Sequence, residues 1–506
     1  MRAPIRHGGG VRLSELLAGI VTYPAAPYRR RITGLAMDSR QVQAGDCFLA
    51  CQGTLQHGRE YIDQALKLGA GAVLIEADYP LTSTSSIGAV PWIAVPDLRA
   101  QAGIIADRFY GRPSAALLVI GVTGTNGKTS ISHFIAQAVN DTWRRGPCGV
   151  LGTLGYGLLP RLESATTTTP DPITLHRLLA ELRDRQARSV VLEVSSHGLE
   201  QGRVAGIKFA IAVFTNLSRD HLDYHGSMEA YGQAKLRLFQ KPGLRAAVIN
   251  LDDPFGQAIL TGLPSGVRVL GYTLGPTAAG ACPAVGATHL AMSKQGVIME
   301  IVAPSGRGIL RSPLLGRFNA YNLLAALAVL LELGIPLDEA LERLARVTSV
   351  AGRMECLQRD PWVVVDYAHT PQGLEQALRT LREVCSGQLW CVFGCGGERD
   401  SGKRPLMGQV AEALADHLIL TTDNPRSEAP AVIVQGILSG IKRKDRICIE
   451  LDRAKAIEQA MLQAHEEDTV LVAGKGHETY QEIRGRRLPF SDSEVVRRVI
   501  ERRACA

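Results

Sequence analysis

One recurring pattern constrains this chain more than any other: short apolar runs that end in glycine or in a polar cluster. "LLVIGVTGTNGKT", "SVVLEVSS", "AIAVFTNL" and "AAVINLDD" lie in its middle, and "WVVVDYAHT", "LWCVFGCGG", "HLILTTDNPRS" and "TVLVAGKGHE" follow residue 350. Runs without polar alternation read as strands buried on both faces, the mark of a parallel sheet covered by crossover helices. In open parallel sheets ligands gather at the carboxyl ends of the strands, where the glycines and polar residues of these runs lie.

The chain has 506 residues, more than one hydrophobic core organises, so about two to four domains are expected. Two punctuation points divide it. "FYGRPSA", with Gly111 and Pro113, precedes the first central strand, and "RVTSVAGRMECL" follows a long helical stretch. They give three α/β domains: 1–112, 113–348 and 349–506. The segment 265–312 is rich in Gly, Pro and Thr and reads as an antiparallel flap of short strands on the central domain. No internal repeat or low-complexity tract is evident.

A hydrophobic content of 46% with 21% charged residues excludes a disordered chain. The net charge of +7 comes without any long basic run, which argues against a nucleic-acid tail and suits a cleft for phosphates and carboxylates. The 10 cysteines are scattered with no C-x-x-C pair, Cys391 and Cys395 included, so a reducing, cytoplasmic setting is expected. "MRAPIRHGGG" has charge but no apolar segment behind it, so no signal peptide is expected. The longest apolar run, "LLAALAVLLELGI", contains Glu332 and is too short to span a bilayer; it reads as a buried helix, and no membrane insertion is expected.

"GVTGTNGKTS" carries the chemistry. Gly124 and Gly127 permit tight backbone geometry, so successive amides can face one anion. Lys128 would reach the β- and γ-phosphates of a nucleotide, and the Thr129 hydroxyl would meet magnesium. Ile131, Phe134, Ile135, Ala138 and Val139 fall at helical spacing behind the loop, so a helix N-terminus can point at the phosphates. Val122 stands where the usual phosphate loop has its first glycine. At two further strand ends, Glu193 is placed as a magnesium carboxylate, and "FTNLSRDHLDYHG" supplies Asn216, Asp220, His221 and Asp223.

"TGTNGKTS", "EVSSHGL", "TNLSRDHLDYHG", "GRFNAYN", "AGRMEC", "DYAHTP" and "GKGHE", in this order, resemble the Mur ligases, and the resemblance runs from about residue 31 to 490. These ATP-dependent enzymes add amino acids to the cytoplasmic precursor of peptidoglycan. The resemblance implies a central P-loop ATPase-type, mostly parallel sheet with flanking helices, a C-terminal Rossmann-like domain and an N-terminal domain for a nucleotide sugar. It implies that ATP phosphorylates a substrate carboxylate and that an amine then attacks the acyl phosphate. It places Gly124, Thr125, Asn126, Gly127, Lys128, Thr129 and Ser130 on ATP, with Asn319 and Asp366 flanking adenine and ribose. Thr129, Glu193, His221 and Lys235 would hold Mg2+, Lys235 as a lysine carbamylated by CO2. The catalytic set is then Lys128, Lys235, Glu193 and His221.

Substrate-facing residues follow from the same resemblance. Met37, Ser39, Thr54, Leu55 and Gln56 fall where a uridine diphosphate sugar is touched. Thr167, Thr168, Thr169, Ser195, Gln201 and Arg203 fall at the muramoyl peptide, so the expected partner is UDP-N-acetylmuramoyl-L-alanyl-D-glutamate (UDP-MurNAc-L-Ala-D-Glu). In "TTDNPRSE", Asp423, Asn424, Pro425 and Arg426 match the members that add meso-diaminopimelate. Arg426 makes physical sense there, because that acceptor carries a second carboxylate that L-lysine lacks, and a guanidinium buried opposite lysine would cost a few kcal/mol. Arg399 is expected on the acceptor's own carboxylate, and Gly474 and Glu478 at its distal end. A monomer is expected. The rival readings are the same ligation with L-lysine, a folylpolyglutamate synthetase, and a nucleotide-dependent switch that ligates nothing.

Overall fold

A computed structural model of the chain describes all residues except 1–8, 23–28, 54–56, 78–85, 88–89, 141–145, 166, 276–281, 444–446 and 505–506. Three sheets organise them, in the mixed α/β class expected. The first runs Gly34–Ala36, Asp46–Ala50, Ala72–Glu76, Val90–Val95, Ser86–Ile87, parallel except at its last pair. The third runs Glu355–Arg359, Trp362–Asp366, Thr469–Ala473, Leu389–Phe393, His417–Leu420, Ile447–Ile449, antiparallel only at its first pair. Among the described residues no helix is long and apolar enough to cross a membrane.

The second sheet has 11 strands. Its parallel centre runs Cys148–Gly152, Ser189–Glu193, Leu118–Thr123, Phe209–Phe214, Ala246–Asn250, Arg268–Thr273 and Ala284–Ser293. Antiparallel strands finish both edges. Val119, Ile120, Val122, Val190, Val191, Leu192, Ala212 and Val213 are wholly buried, as strands covered on both faces must be. The "LLAALAVLLELGI" run lies in the buried helix Arg317–Glu332, which packs on this sheet.

The 265–312 segment belongs to the central sheet and is antiparallel, as expected, only in its later part. Arg268–Thr273 continues the parallel sheet, and Ala284–Ser293 pairs parallel with it before entering an antiparallel meander with Gly296–Ala303 and Gly306–Ser312. The strands are not all short, since Ala284–Ser293 has 10 residues. The physical reason is one-sided burial: Val297, Met299, Ile301 and Leu310 alternate into the core under the long helix while Ile298 and Ile309 face solvent.

Register sets the site. Glu193 pairs with Val122 and Phe214 with Thr123, so three neighbouring strands end together. The Gly124–Thr129 loop, Glu193–Ser196 and Thr215–Ser218 therefore meet at one sheet end. The helix Leu98–Phe109 packs against Pro172–Asp184, and it also meets the turn after Ser196–Glu200, where a methyl on Gly103 would lie 2.3 Å from the Ala205 carbonyl oxygen.

Candidate active site

The loop after Leu118–Thr123 is braced from below. Asn216 Oδ1 accepts from the Asn126 amide at 3.0 Å, the Asn216 carbonyl accepts from the Thr125 amide at 2.8 Å, and Thr215 Oγ1 donates to the Asn126 carbonyl at 2.6 Å. Gly124 (φ +148) has no room for a side chain, since a Cβ would lie 1.8 Å from Thr215 Oγ1. Gly127 (φ +85) would press a Cβ to 2.7 Å from Asn322 Oδ1. The glycines of the motif thus answer both conformation and close approach. Val122 is an ordinary buried strand residue.

Two lysines converge on this loop. Lys128 Nζ donates to the carbonyls of Gly124 and Thr125 at 2.8 and 2.9 Å, and Lys235 Nζ donates to the Gly124 carbonyl at 2.9 Å. Lys235 is 1% exposed, and burial, reinforced by the charge of Lys128, pushes its ammonium well below the ordinary lysine range. Burial lowers Lys128 as well.

Glu193, the last residue of its strand, is wholly buried. It accepts from Thr129 Oγ1 at 2.9 Å, from the Thr153 amide at 3.0 Å and from Thr153 Oγ1 at 3.0 Å. A hydroxyl and a carboxylate in contact beside a phosphate loop are hard oxygen donors that fit Mg2+, which is usually held by one or two carboxylates, water and substrate phosphates. No group of three or more His, Cys, Asp or Glu residues able to hold a metal occurs among the described residues. His221 sits in the left-handed region (φ 53), half exposed, with Nε2 3.5 Å from Asp220 Oδ2. Lys235 as an ammonium would repel a cation.

The residues expected at the muramoyl peptide lie together. Thr168 Oγ1 lies 3.0 Å from Thr153 Oγ1, and Thr169 Oγ1 donates to the Glu193 carbonyl at 2.8 Å. Ser195 caps the short helix Ser196–Glu200, and its amide donates to Thr169 Oγ1. Arg203 is tied by NH1 to the Thr169 carbonyl at 2.7 Å and by Nε and NH2 to Gln201 Oε1. Thr167 is exposed at the end of the row. In the first unit, Met37 and Ser39 follow the strand Gly34–Ala36, and Ser39 Oγ donates to Gln64 at 2.8 Å. Thr54, Leu55 and Gln56 lie outside the described residues.

A cavity of about 390 Å³ opens beside the loop, lined by Asn126, Gly127, Asn216, Asn322, Arg353 and Asp366 among others. Asp366 accepts from the Met354 and Ala368 amides at 2.7 and 2.8 Å, and burial raises its carboxyl. Asn319 does not line the cavity: it is buried one helical turn behind, with Oδ1 accepting from Asn322 Nδ2 at 3.1 Å. The two share a helix face, and Asn322, one turn further along, is the one that meets the loop at Gly127.

In the third unit Asn424 Nδ2 and Lys475 Nζ both donate to Glu478 Oε2 at 2.8 Å, and Lys475 Nζ also donates to Asn424 Oδ1 at 3.1 Å. Asp423 lies against Gly474, where a Cβ would sit 2.6 Å from its Oδ2. Arg426 (φ 53) donates from NH1 to the Gly397 carbonyl at 2.6 Å, with Nε 3.4 Å from Glu482 Oε2. Pro425 joins these two groups. Arg399 is exposed and flanks Gly396 opposite Arg426. Thr153, Lys475, Arg353 and Asn322 were not assigned from sequence. The last three lie inside motifs already quoted, whereas Thr153 follows an unremarkable strand.

Comparison with known proteins agrees along almost the whole chain. Residues 31–110 match the Mur ligase family catalytic domain, 122–330 the Mur ligase middle domain, and 352–476 the Mur ligase glutamate ligase domain. The UDP-N-acetylmuramoyl-L-alanyl-D-glutamate--2,6-diaminopimelate ligase of Coxiella burnetii is 48% identical over 93% of this chain and 96% of its own. That of Pseudomonas aeruginosa is 50% identical over 94% and 97%. A solved structure of a UDP-N-acetylmuramoyl-L-alanyl-D-glutamate--2,6-diaminopimelate ligase superimposes with a TM-score of 0.70 at 39% identity, covering 98% of this chain and 99% of that one.

Proposed function

This chain belongs to the Mur ligase family, and on that premise we propose that it joins meso-2,6-diaminopimelate to the D-glutamate of UDP-N-acetylmuramoyl-L-alanyl-D-glutamate, at the expense of ATP. The γ-phosphoryl group passes to the glutamate carboxylate, which alone is a poor electrophile. The acceptor amine adds to the acyl phosphate, and the tetrahedral intermediate collapses to an amide and inorganic phosphate.

The residues divide this work by charge. The loop amides and Lys128 draw two anions together and lower the cost of their approach. Thr129 and Glu193, with His221 and a carbamate on Lys235, would hold Mg2+, which neutralises phosphate charge and polarises the transferred group. A buried lysine held below its ordinary range keeps the neutral amine that adds to CO2, losing a proton to give the carbamate. Thr168, Thr169, Ser195, Gln201 and Arg203 receive the muramoyl peptide, and Met37 and Ser39 the uridine end. Arg426 takes the distal carboxylate of the acceptor, Glu478 its distal ammonium and Arg399 the proximal carboxylate. The enzyme acts as a monomer in the cytoplasm.

The observation that carries the choice of acceptor is the Asp423–Arg426 run, in which Asn424 holds Glu478 and Arg426, two residues on, sets its guanidinium on the Gly397 carbonyl. L-lysine has no second carboxylate to offer Arg426, whose guanidinium would then face Glu482 alone. Mass analysis of the product formed from ATP, Mg2+, the nucleotide dipeptide and meso-diaminopimelate tests the reading. One new amide at D-glutamate supports it, and unchanged nucleotide dipeptide with ATP bound overturns it.

A further inference from the structure

The two arginines assigned to the acceptor's carboxylates stand on different loops, and those loops are zipped together. The Gly397 amide donates to the Asn424 carbonyl at 3.0 Å, and Arg426 NH1 donates back to the Gly397 carbonyl. The Glu398 amide donates to Glu428 Oε1, and Ser427 Oγ donates to Glu398 Oε1. A methyl on Gly397 would lie 2.1 Å from the Pro425 carbonyl oxygen, so the loops touch backbone to backbone. Arg404, at the start of the helix Lys403–Leu414 and 5% exposed, closes the zip from beneath. Its NH2 lies 2.9 Å from both carboxylate oxygens of Glu428.

Backbone conformation points the same way. Glu398 and Arg426 both occupy the left-handed region at φ 53. A non-glycine residue there costs roughly 1–3 kcal/mol and persists where its surroundings over-determine it, often at ligand clamps. Both strained residues sit in the zip, one next to Arg399 and the other Arg426 itself. Between them, a methyl on Gly396 would lie 3.2 Å from Arg426 NH1 and 3.8 Å from Arg399 Cγ.

We propose that Glu428, held by Arg404, is a positioning residue that fixes the span between the Arg399 and Arg426 guanidinium groups, and so reads the length of a dicarboxylate acceptor. This rests on the reading that the acceptor is meso-diaminopimelate. The Glu398 amide first, and the Arg404 guanidinium after it, hold the Glu428 carboxyl below the ordinary glutamate range, so the link is ionic at neutral pH. Neither Glu428 nor Arg404 need touch the acceptor; a loosened span admits a longer one.

The test compares meso-diaminopimelate with its diaminosuberate homologue, one methylene longer. The KM of the first and the inhibition constant of the second are measured in the wild type, Glu428→Gln and Arg404→Lys. In Glu428→Gln the preference for diaminopimelate should fall by about tenfold, the scale of one methylene in a fitted site, with the KM for ATP unchanged. Arg404→Lys keeps the charge but loses the reach and fixed plane of the guanidinium, and should fall part of the way. A purely structural lesion would weaken both acceptors equally, and an unchanged ratio in both variants overturns the clamp while leaving the ligase reading intact. A wild type inert with meso-diaminopimelate overturns both. Should Glu428→Gln not fold, Arg404→Lys carries the comparison alone.

Discussion

Lys128 and Lys235 donate to the same atom, the Gly124 carbonyl oxygen, at 2.8 and 2.9 Å. Two ammonium groups on one acceptor repel each other, and the fully enclosed member carries the consequence: Lys235 is held well below its ordinary range by burial and by Lys128. A carbamate on Lys235 would turn that repulsion into attraction and would give an anionic ligand to the Mg2+ that counters phosphate charge.

Lys235→Ala should therefore lower ligation on the order of 100-fold or more, the scale of a lost electrostatic stabiliser. A small added carboxylate such as formate should restore part of the rate. Wild-type turnover in the alanine variant would remove Lys235 from the mechanism.

Arg426→Ala should raise the KM for meso-diaminopimelate by about tenfold or more while leaving that for ATP within about twofold. Steady-state kinetics with each substrate varied in turn decides it, and equal rises for both would mean that Arg426 is structural.

Glu193→Gln keeps the shape and the contact to Thr129 but removes the anion. The Mg2+ concentration for half-maximal activity should rise by about tenfold, with the thermal midpoint little changed because the amide oxygen still accepts from Thr153. A magnesium titration of both proteins measures it, and superimposable curves would place the cation elsewhere.

His133 and His477 give the chain a pH-dependent stability. Burial first, then the charge of Arg353, lowers them from the ordinary 6.5 to about 4 and about 3. The folded chain keeps both neutral while the unfolded chain protonates them, so stability present above pH 6.5 is lost as pH falls towards about 4. For His133 alone the loss is ~3 kcal/mol. Urea midpoints at about pH 7 and about pH 5 should differ less in His133→Gln than in the wild type; equal differences would contradict this.

Contiguity decided what the sequence made legible. The phosphate loop, the buried helix behind it and Glu193 at a strand end are local patterns, and the chain folds them as read. The Asp423–Arg426 run and Glu478 were legible as motifs, although their meeting required the third sheet. Thr153 was not legible, because it reaches Glu193 only through parallel pairing between Cys148–Gly152 and Ser189–Glu193. Asn319 came from the motif alone, and sequence does not fix which turn of Arg317–Glu332 reaches the loop, where Asn322 lines the cavity. In the 265–312 segment the antiparallel strands were legible, but the parallel pairing of Arg268–Thr273 was not, because it depends on distant Ala246–Asn250.

The central claim is that ATP is spent on joining a dicarboxylic amino acid to a nucleotide-linked dipeptide. Its most direct test is phosphate release from ATP and Mg2+ with UDP-N-acetylmuramoyl-L-alanyl-D-glutamate present, comparing meso-diaminopimelate with L-lysine. Release that requires the nucleotide dipeptide and meso-diaminopimelate together, with little from L-lysine, is the predicted result. Equal or faster release with L-lysine, or none with either acceptor, would contradict it.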